Sequence, residues 1–328
     1  MTAYFITGGY GFLGQYIVQA VHDHDPQAEL RVLTRTTRKT FLPLNQLGRV
    51  RWVGGELLKP ESFTDQLQGV DTVIHNAAMV SFRKAEAPAI YESNVIGTRN
   101  LLAAARAAGC RNFIFISSIS AVDFRPGQVS DETMLPDLET KRQKDMYGYS
   151  KLVSEMELKE VAQEMRVIIL NPSVILGPGS DRVDMVMKAL RLLPVLPMLS
   201  YVNTFVDVRD VARAVVLALS KGRSGERYIV TAWNMGMVEF TQAAQQIAGK
   251  KARILPLSGA GTKVMDAFLV ALDLFKLNPG IRRLSEMGVD KPCSYEKIKS
   301  EMGWEPSFTL EQSLADTIRS GEPDSKIS

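Results

Sequence analysis

Short apolar runs rich in β-branched residues alternate along the chain with longer stretches whose apolar positions recur at helical spacing. That alternation predicts an α/β fold, with parallel strands joined by crossover helices. The pattern places strands at 3–7, 30–34, 51–54, 72–76, 113–117 and 167–171, and helices near 11–22, 61–67, 91–108 and 147–163. Past Asn171 it changes: Pro172, Gly177, Pro178, Pro194 and Pro197 break up an apolar segment before a strand-like and helical stretch at 204–219. A second unit is expected to begin there. The polar end, 322–328, reads as a disordered tail.

Composition changes this picture little. The 328 residues are 45% hydrophobic and 23% charged, which suits a folded chain of enzyme size and excludes a disordered or fibrous one. The net charge of +3 is spread without a long basic block, so no nucleic-acid partner is expected. Cys110 and Cys293 lie far apart, and the histidines His22, His24 and His75 show no metal spacing. Neither a disulfide framework nor a metal is predicted. The chain runs almost at once into a glycine motif, leaving no room for a signal peptide, and a cytoplasmic location is expected. No uncharged stretch reads as a membrane-crossing helix.

The motif is Thr7-Gly8-Gly9-Tyr10-Gly11-Phe12-Leu13-Gly14. It follows a predicted strand and opens a predicted helix, the setting in which glycines let main-chain N–H groups approach a dinucleotide pyrophosphate. At the end of the second strand an acid would accept hydrogen bonds from a ribose 2′-hydroxyl, and an arginine would accommodate a 2′-phosphate. Arg35, Arg38 and Lys39 stand there without an acid. A charge-assisted contact contributes about 1.5–3 kcal/mol, which favours NADP(H) over NAD(H) by about 10- to 150-fold if Arg35 makes it. NAD(H) is the alternative, with a solvated basic loop.

In Tyr147-Gly148-Tyr149-Ser150-Lys151, Tyr147 and Lys151 are four residues apart and share a helix face. A nearby ammonium favours a phenolate, so Tyr147 is suited to exchanging a proton with a substrate oxygen. Ser118 closes the strand 113–117 at its carboxyl edge, where it is placed to hold that oxygen; Ser117 and Ser120 compete for the role, and a capping serine is the plain structural alternative.

These segments in this order resemble the extended short-chain dehydrogenase/reductases, across nearly the whole chain. The resemblance is also carried by Val73-Ile74-His75-Asn76-Ala77-Ala78, by the stretch from Asn94 to Leu102, by the stretch from Asn171 to Gly179, by Phe205-Val206-Asp207-Val208-Arg209-Asp210, and by Met302-Gly303-Trp304-Glu305-Pro306. It implies a Rossmann doubly wound parallel sheet with a smaller C-terminal substrate-binding lobe. Residues 1–171 form the cofactor domain, with 204–230 returning to it, and 172–203 and 231–321 form the lobe. It implies Ser118, Tyr147 and Lys151 as the catalytic group supported by Asn94. Thr7, Gly8, Gly11, Phe12, Leu13, Gly14, Arg35, Arg38, Glu56, Leu57, Ala77, Ala78, Ser117, Pro172 and Val174, with Tyr147 and Lys151, are placed at the cofactor.

Within that family the look is of dihydroflavonol reductases and 3β-hydroxysteroid dehydrogenases, which act on bulky, largely apolar carbonyls or alcohols. Nucleotide-sugar epimerases and dehydratases share the scaffold but usually carry arginine where this chain has Asn203. A non-catalytic cofactor-binding regulator is the third reading. The apolar stretches 185–200 and 264–277 suit an apolar small-molecule substrate, though lobe core, a dimer contact or, for 264–277, peripheral membrane contact explain them too. In similar enzymes, helices corresponding to 91–108 and 147–163 pair in a homodimer.

Overall fold

The computed structural model describes residues 2–36, 40–81, 83–180, 187, 189–190, 193–257 and 289–320. Its first half alternates β1 (Ala3–Thr7), α1 (Phe12–His24), β2 (Glu29–Thr34), β3 (Val50–Gly54), β4 (Thr72–His75), α2 (Ala87–Tyr91), α3 (Gly97–Ala107) and β5 (Asn112–Ile116). There follow α4 (Leu138–Lys144), α5 (Met146–Glu160), β6 (Arg166–Pro172), β7 (Val174–Leu176), β8 (Val195–Leu199), β9 (Val202–Asp207), α6 (Val208–Lys221) and β10 (Glu226–Val230). The C-terminal part supplies β11 (Trp233–Gly236), α7 (Met237–Ile247), β12 (Arg253–Leu257), α8 (Glu296–Met302) and α9 (Leu310–Ser320).

Seven strands form one parallel sheet in the order β10-β6-β5-β4-β1-β2-β3. This is the doubly wound arrangement expected of the sequence. Both faces are covered, which is why its strands read as continuous apolar runs. Successive side chains divide between the faces: Ile114 and Ile116 join a core with Ile6, Val32, Leu170 and helices α1 and α6, while Phe113 and Phe115 join one with Phe5, Val73, Leu101 and Leu158. The order reverses between β1 and β4, and a crevice opens beyond the carboxyl ends of strands at such a point.

Two predicted helices come out differently. The stretch 61–67 makes two short turns, Pro60–Ser62 and Thr64–Leu67, because Phe63 between them leaves helical geometry at φ −138° and buries its ring 6.2 Å from Phe5. The helix expected at 91–108 is interrupted by a wider π-helical turn over Glu92–Ile96 before α3 begins.

A smaller sheet holds β7, β9 and β11, and β8 pairs with β12. Phe205 on β9 stacks on Phe240 of α7, ring centroids 4.4 Å apart, within a core that includes Leu176, Leu310 and Leu314. From the segment 204–230, β9 pairs in this smaller sheet, α6 packs on α1, and β10 closes the edge of the large one. The apolar run 264–277 and the tail 322–328 lie outside the described residues. Among the described residues no helix is long and apolar enough to cross a membrane.

The C-terminal segment is fastened to α6 by buried polar contacts. Trp304, fully buried, donates its indole N–H to the Asp210 carbonyl at 2.9 Å, while the Asp210 carboxylate accepts from the amides of Ser307 and Phe308 and pairs with Arg213. Asp210→Ala strands those amides and should cost about 2–3 kcal/mol. Urea unfolding followed by tryptophan fluorescence checks this, the expectation being a lower midpoint at unchanged slope.

Candidate active site

The glycine turn sits where β1 ends and α1 begins, at the switch point. A Cβ on Gly14 would lie 2.0 Å from the Gly8 carbonyl oxygen, so only glycine lets α1 press this close to the turn. Gly8 takes φ +75°, and its carbonyl accepts from the Gly11 amide at 3.0 Å. Helix α1 starts at Gly11 with no side-chain cap and no acid in its first turn. A helix start built this way suits an anion, and a dinucleotide pyrophosphate fits it. Phe12 is half-buried and Leu13 buried just inside the helix.

Arg35 follows β2 directly and is exposed, while Arg38 lies outside the described residues. Beyond β3, Asn100 donates to the Leu57 carbonyl at 2.9 Å and the Glu56 amide donates to Ser62 Oγ at 2.9 Å, which holds the Glu56–Leu57 turn against α3. Ala77 and Ala78 leave β4 half-buried, and the Ala77 amide donates to Thr7 Oγ1 at 3.0 Å. Pro172 ends β6 buried, and Val174 starts β7 half-buried. Beside them the Asn171 Oδ1 and Ser173 Oγ atoms are buried with no hydrogen-bond partner. Orphaned polar atoms at a strand's carboxyl edge are what a bound nicotinamide carboxamide would satisfy.

Helix α5 is capped by Asp145, whose side chain accepts from the Gly148 amide at 3.1 Å. A Cβ at Gly148 would stand 2.4 Å from the Ser120 carbonyl oxygen, so the glycine beside Tyr147 lets α5 close on the turn that follows β5. Ser118 caps that turn and accepts from the Ser120 amide at 3.1 Å. As an acceptor there, its hydroxyl keeps its own proton to donate. The capping role and the proposed substrate role are therefore compatible. Ser117 is buried and donates to Glu155, which turns it inward and away from competition with Ser118.

Lys151 lies almost wholly buried, donating to the Ile116 carbonyl at 2.7 Å with its ammonium 4.6 Å from the Phe115 ring centre. Burial draws it down from the usual lysine range to about 7, against the opposing pull of Glu155. Asn94 is buried. Within the π-helical turn its amide accepts from the Met79 N–H at 2.7 Å and donates to the Met79 carbonyl and to Ser150 Oγ, both at 3.0 Å. It fastens the segment after β4 to α5, one residue before Lys151.

His75 is buried between two hydroxyls. Its Nδ1 lies 2.7 Å from Thr7 Oγ1 and its Nε2 lies 2.8 Å from Thr98 Oγ1. Thr98 donates its own proton to the Asn94 carbonyl, so it accepts from Nε2–H and leaves Nδ1 to accept from Thr7. Burial, with the Lys151 cation, holds the ring down at about 3 and hence neutral. The sequence reading missed Thr98, Glu155 and Arg227. Glu155 was findable as the next member of the Tyr147, Lys151 stripe, whereas Arg227 shows no local signal.

The profile of the NAD dependent epimerase/dehydratase family matches residues 4–236. The chain belongs to this family. A Synechocystis protein with a provisional dihydroflavonol 4-reductase name is 32% identical over 249 residues, covering 71% of this chain and 69% of its own. Sterol demethylase protein B of Methylococcus capsulatus is 32% identical over 250 residues, 74% of each. The crystal structure of gox2253 superposes with a TM-score of 0.80 at 26% identity over 98% of both chains. With relatives named as reductases and dehydrogenases, this member of an NAD dependent family is an oxidoreductase that uses a nicotinamide cofactor.

Gly14→Ala forces the helix away from the Gly8 carbonyl. It should cost about 1–3 kcal/mol of stability and weaken dinucleotide binding at least about tenfold. Thermal unfolding with and without NADPH reads both effects, and retained affinity at an unchanged midpoint would refute the packing argument.

Proposed function

We propose that this protein transfers hydride between NADP(H) and a carbonyl or alcohol of a bulky, largely apolar small molecule, with Tyr147 as proton donor and acceptor. The observation that carries the reading is the buried Lys151 ammonium, anchored on the Ile116 carbonyl at the carboxyl edge of β5, one helical turn after Tyr147 and beside the Ser118 turn. When bound, the nicotinamide supplies or takes the hydride. Ser118 donates a hydrogen bond to the substrate oxygen, favouring the charge that develops there during reduction. Tyr147 gives that oxygen its proton in reduction and removes it in oxidation. The Lys151 cation stabilises the phenolate form of Tyr147 and binds the cofactor ribose.

Substrate class rests on the two 32%-identical relatives, one named for a flavonoid reductase and the other for sterol demethylation. Residues 172–203 and 231–321 are the substrate lobe in this reading. A cytoplasmic homodimer, paired through α3 and α5, completes it.

Cofactor choice is tested first, by fluorescence titration with NADPH and NADH. NADPH should bind at least about tenfold more tightly, and Arg35→Ala should remove most of the difference. Equal or tighter NADH binding would discard the assignment to Arg35. For the chemistry, Tyr147→Phe should lower turnover of a ketone identified by screening apolar carbonyls with NADPH by about 10²–10⁴-fold. NADPH affinity should stay within about threefold. Turnover surviving that substitution would take the proton-transfer role from Tyr147.

A further inference from the structure

The side chains of Tyr147, Lys151 and Glu155 follow one another at four-residue spacing on α5. Glu155 is 2% exposed, and its partners come from three different strands or strand ends. Its Oε1 accepts from Ser117 Oγ beyond β5 and from Asn171 Nδ2 of β6 at 2.6 Å, and its Oε2 stands 3.3 Å from Nε of Arg227 on β10. Asn171 Nδ2 also donates to the Ser118 carbonyl at 3.0 Å, and Arg227 Nη2 donates to the Ala121 carbonyl at 3.2 Å, within the same turn. The side chain therefore bears on the turn holding Ser118 and on the lysine one helical turn away; burial raises its proton affinity, while the Arg227 cation and the Ser117 and Asn171 hydrogen bonds pull the other way and favour the carboxylate.

Stability gives a poor reason for this arrangement. A buried ion pair is often no better than well-packed apolar side chains of similar volume, and here Arg227 Nε and Nη1 form no hydrogen bond. We propose that Glu155, held by Ser117, Asn171 and Arg227, is a positioning residue whose negative charge sets the protonation of the Tyr147–Lys151 pair. The proposal rests on the reading of that pair as the proton-handling group. Without a nearby anion, a lysine buried this deeply holds its proton less tightly, and the phenol beside it does likewise.

Other charges around the pair do not replace it. His75 on β4 is neutral, and Lys159, the next member of the stripe, is a cation drawn down by burial and by Arg227. Glu226 is engaged by Lys297 of α8, and Glu132, ahead of α4, accepts from the Ile229 amide. Among the described residues the pull that holds Lys151 up comes from Glu155.

Removing this negative charge, and leaving Arg227 behind, lowers the proton affinity of phenol and ammonium alike, so with Lys151 still carrying its proton the Tyr147 midpoint falls. The experiment is a pH titration of phenolate absorbance on the NADP⁺-loaded protein, taking the difference between each background and the same background with Tyr147→Phe. In the native background the Tyr147 midpoint should lie below the ordinary tyrosine value of about 10. Glu155→Gln should move it down by about one further pH unit. Glu155→Gln with Arg227→Met, which removes both charges and suits an apolar interior, should move it down by less. An unmoved or raised midpoint in the folded single variant overturns the proposal, as does a double variant displaced as far as the single. If Glu155→Gln does not fold, the double variant decides by itself: a small downward shift supports the proposal, and none overturns it. A native midpoint at the ordinary value would instead count against the reading of the pair, independently of any shift between variants.

Discussion

The His75 ring stands at the sheet's switch point with a hydroxyl at each nitrogen, Thr7 from β1 and Thr98 from α3, and this directed column organises the site around it. The Ala77 amide donates to Thr7, Thr7 to the ring, the ring to Thr98, and Thr98 to the Asn94 carbonyl. Each group in the column has one role that fits, so its direction is determined. A charged ring would present two donors and force Thr7, which already accepts from Ala77, to accept again in place of donating. Burial keeps the ring neutral and so preserves the order. Through Asn94 and Ser150 the column reaches α5, tying the glycine turn to the helix that bears Tyr147 and Lys151. The π-helical turn at Glu92–Ile96 belongs to the same arrangement. It sets Asn94 where it serves both the Met79 backbone and Ser150, while its own carbonyl receives Thr98 and Ser154.

Many of the buried polar groups gather at one edge of the large sheet. The two faces of the large sheet are apolar cores, but at its carboxyl edge Thr7, His75, Asn94, Ser117, Lys151, Glu155 and Asn171 are all buried. Low dielectric strengthens every interaction among them and makes any unpaired member costly. The cations and anions are accordingly arranged in depth: Lys151 against a carbonyl and an aromatic face, Glu155 behind it, and Arg227 on the edge strand behind that. A site of this kind keeps its reacting groups responsive to small electrostatic changes while the apolar layers hold them in place.

Much of this was legible in the chain because the informative signals were local. The glycine motif, the Tyr147–Lys151 spacing and the strand runs each lie within one stretch of sequence, and the parallel sheet follows from their alternation. Signals that need a distant partner were not. Arg227 sits in a strand whose pattern resembles any edge strand, and only its pairing next to β6 brings it to Glu155. The helix expected at 61–67 failed because a single aromatic, Phe63, found more burial against Phe5 than a helical stripe would offer. Asn94, expected to support the catalytic group, is joined to α5 through Ser150, and helical periodicity cannot reveal the local widening of the turn that carries it.

Asp207 shows how the smaller sheet is joined to this machinery. It ends β9 and caps α6, accepting from the Arg209 amide at 2.8 Å, while its other oxygen accepts from Ser313 of α9 at 2.6 Å. Arg209 in turn pairs with Asp207 and Asp316 and lies 3.6 Å from the Phe308 ring centre. One buried carboxylate thus binds the central strand of the small sheet, a helix packed on α1 and the C-terminal helix. With that junction fixed, the β9–α6 connection is a poor hinge, since rotation there would strand a buried charge.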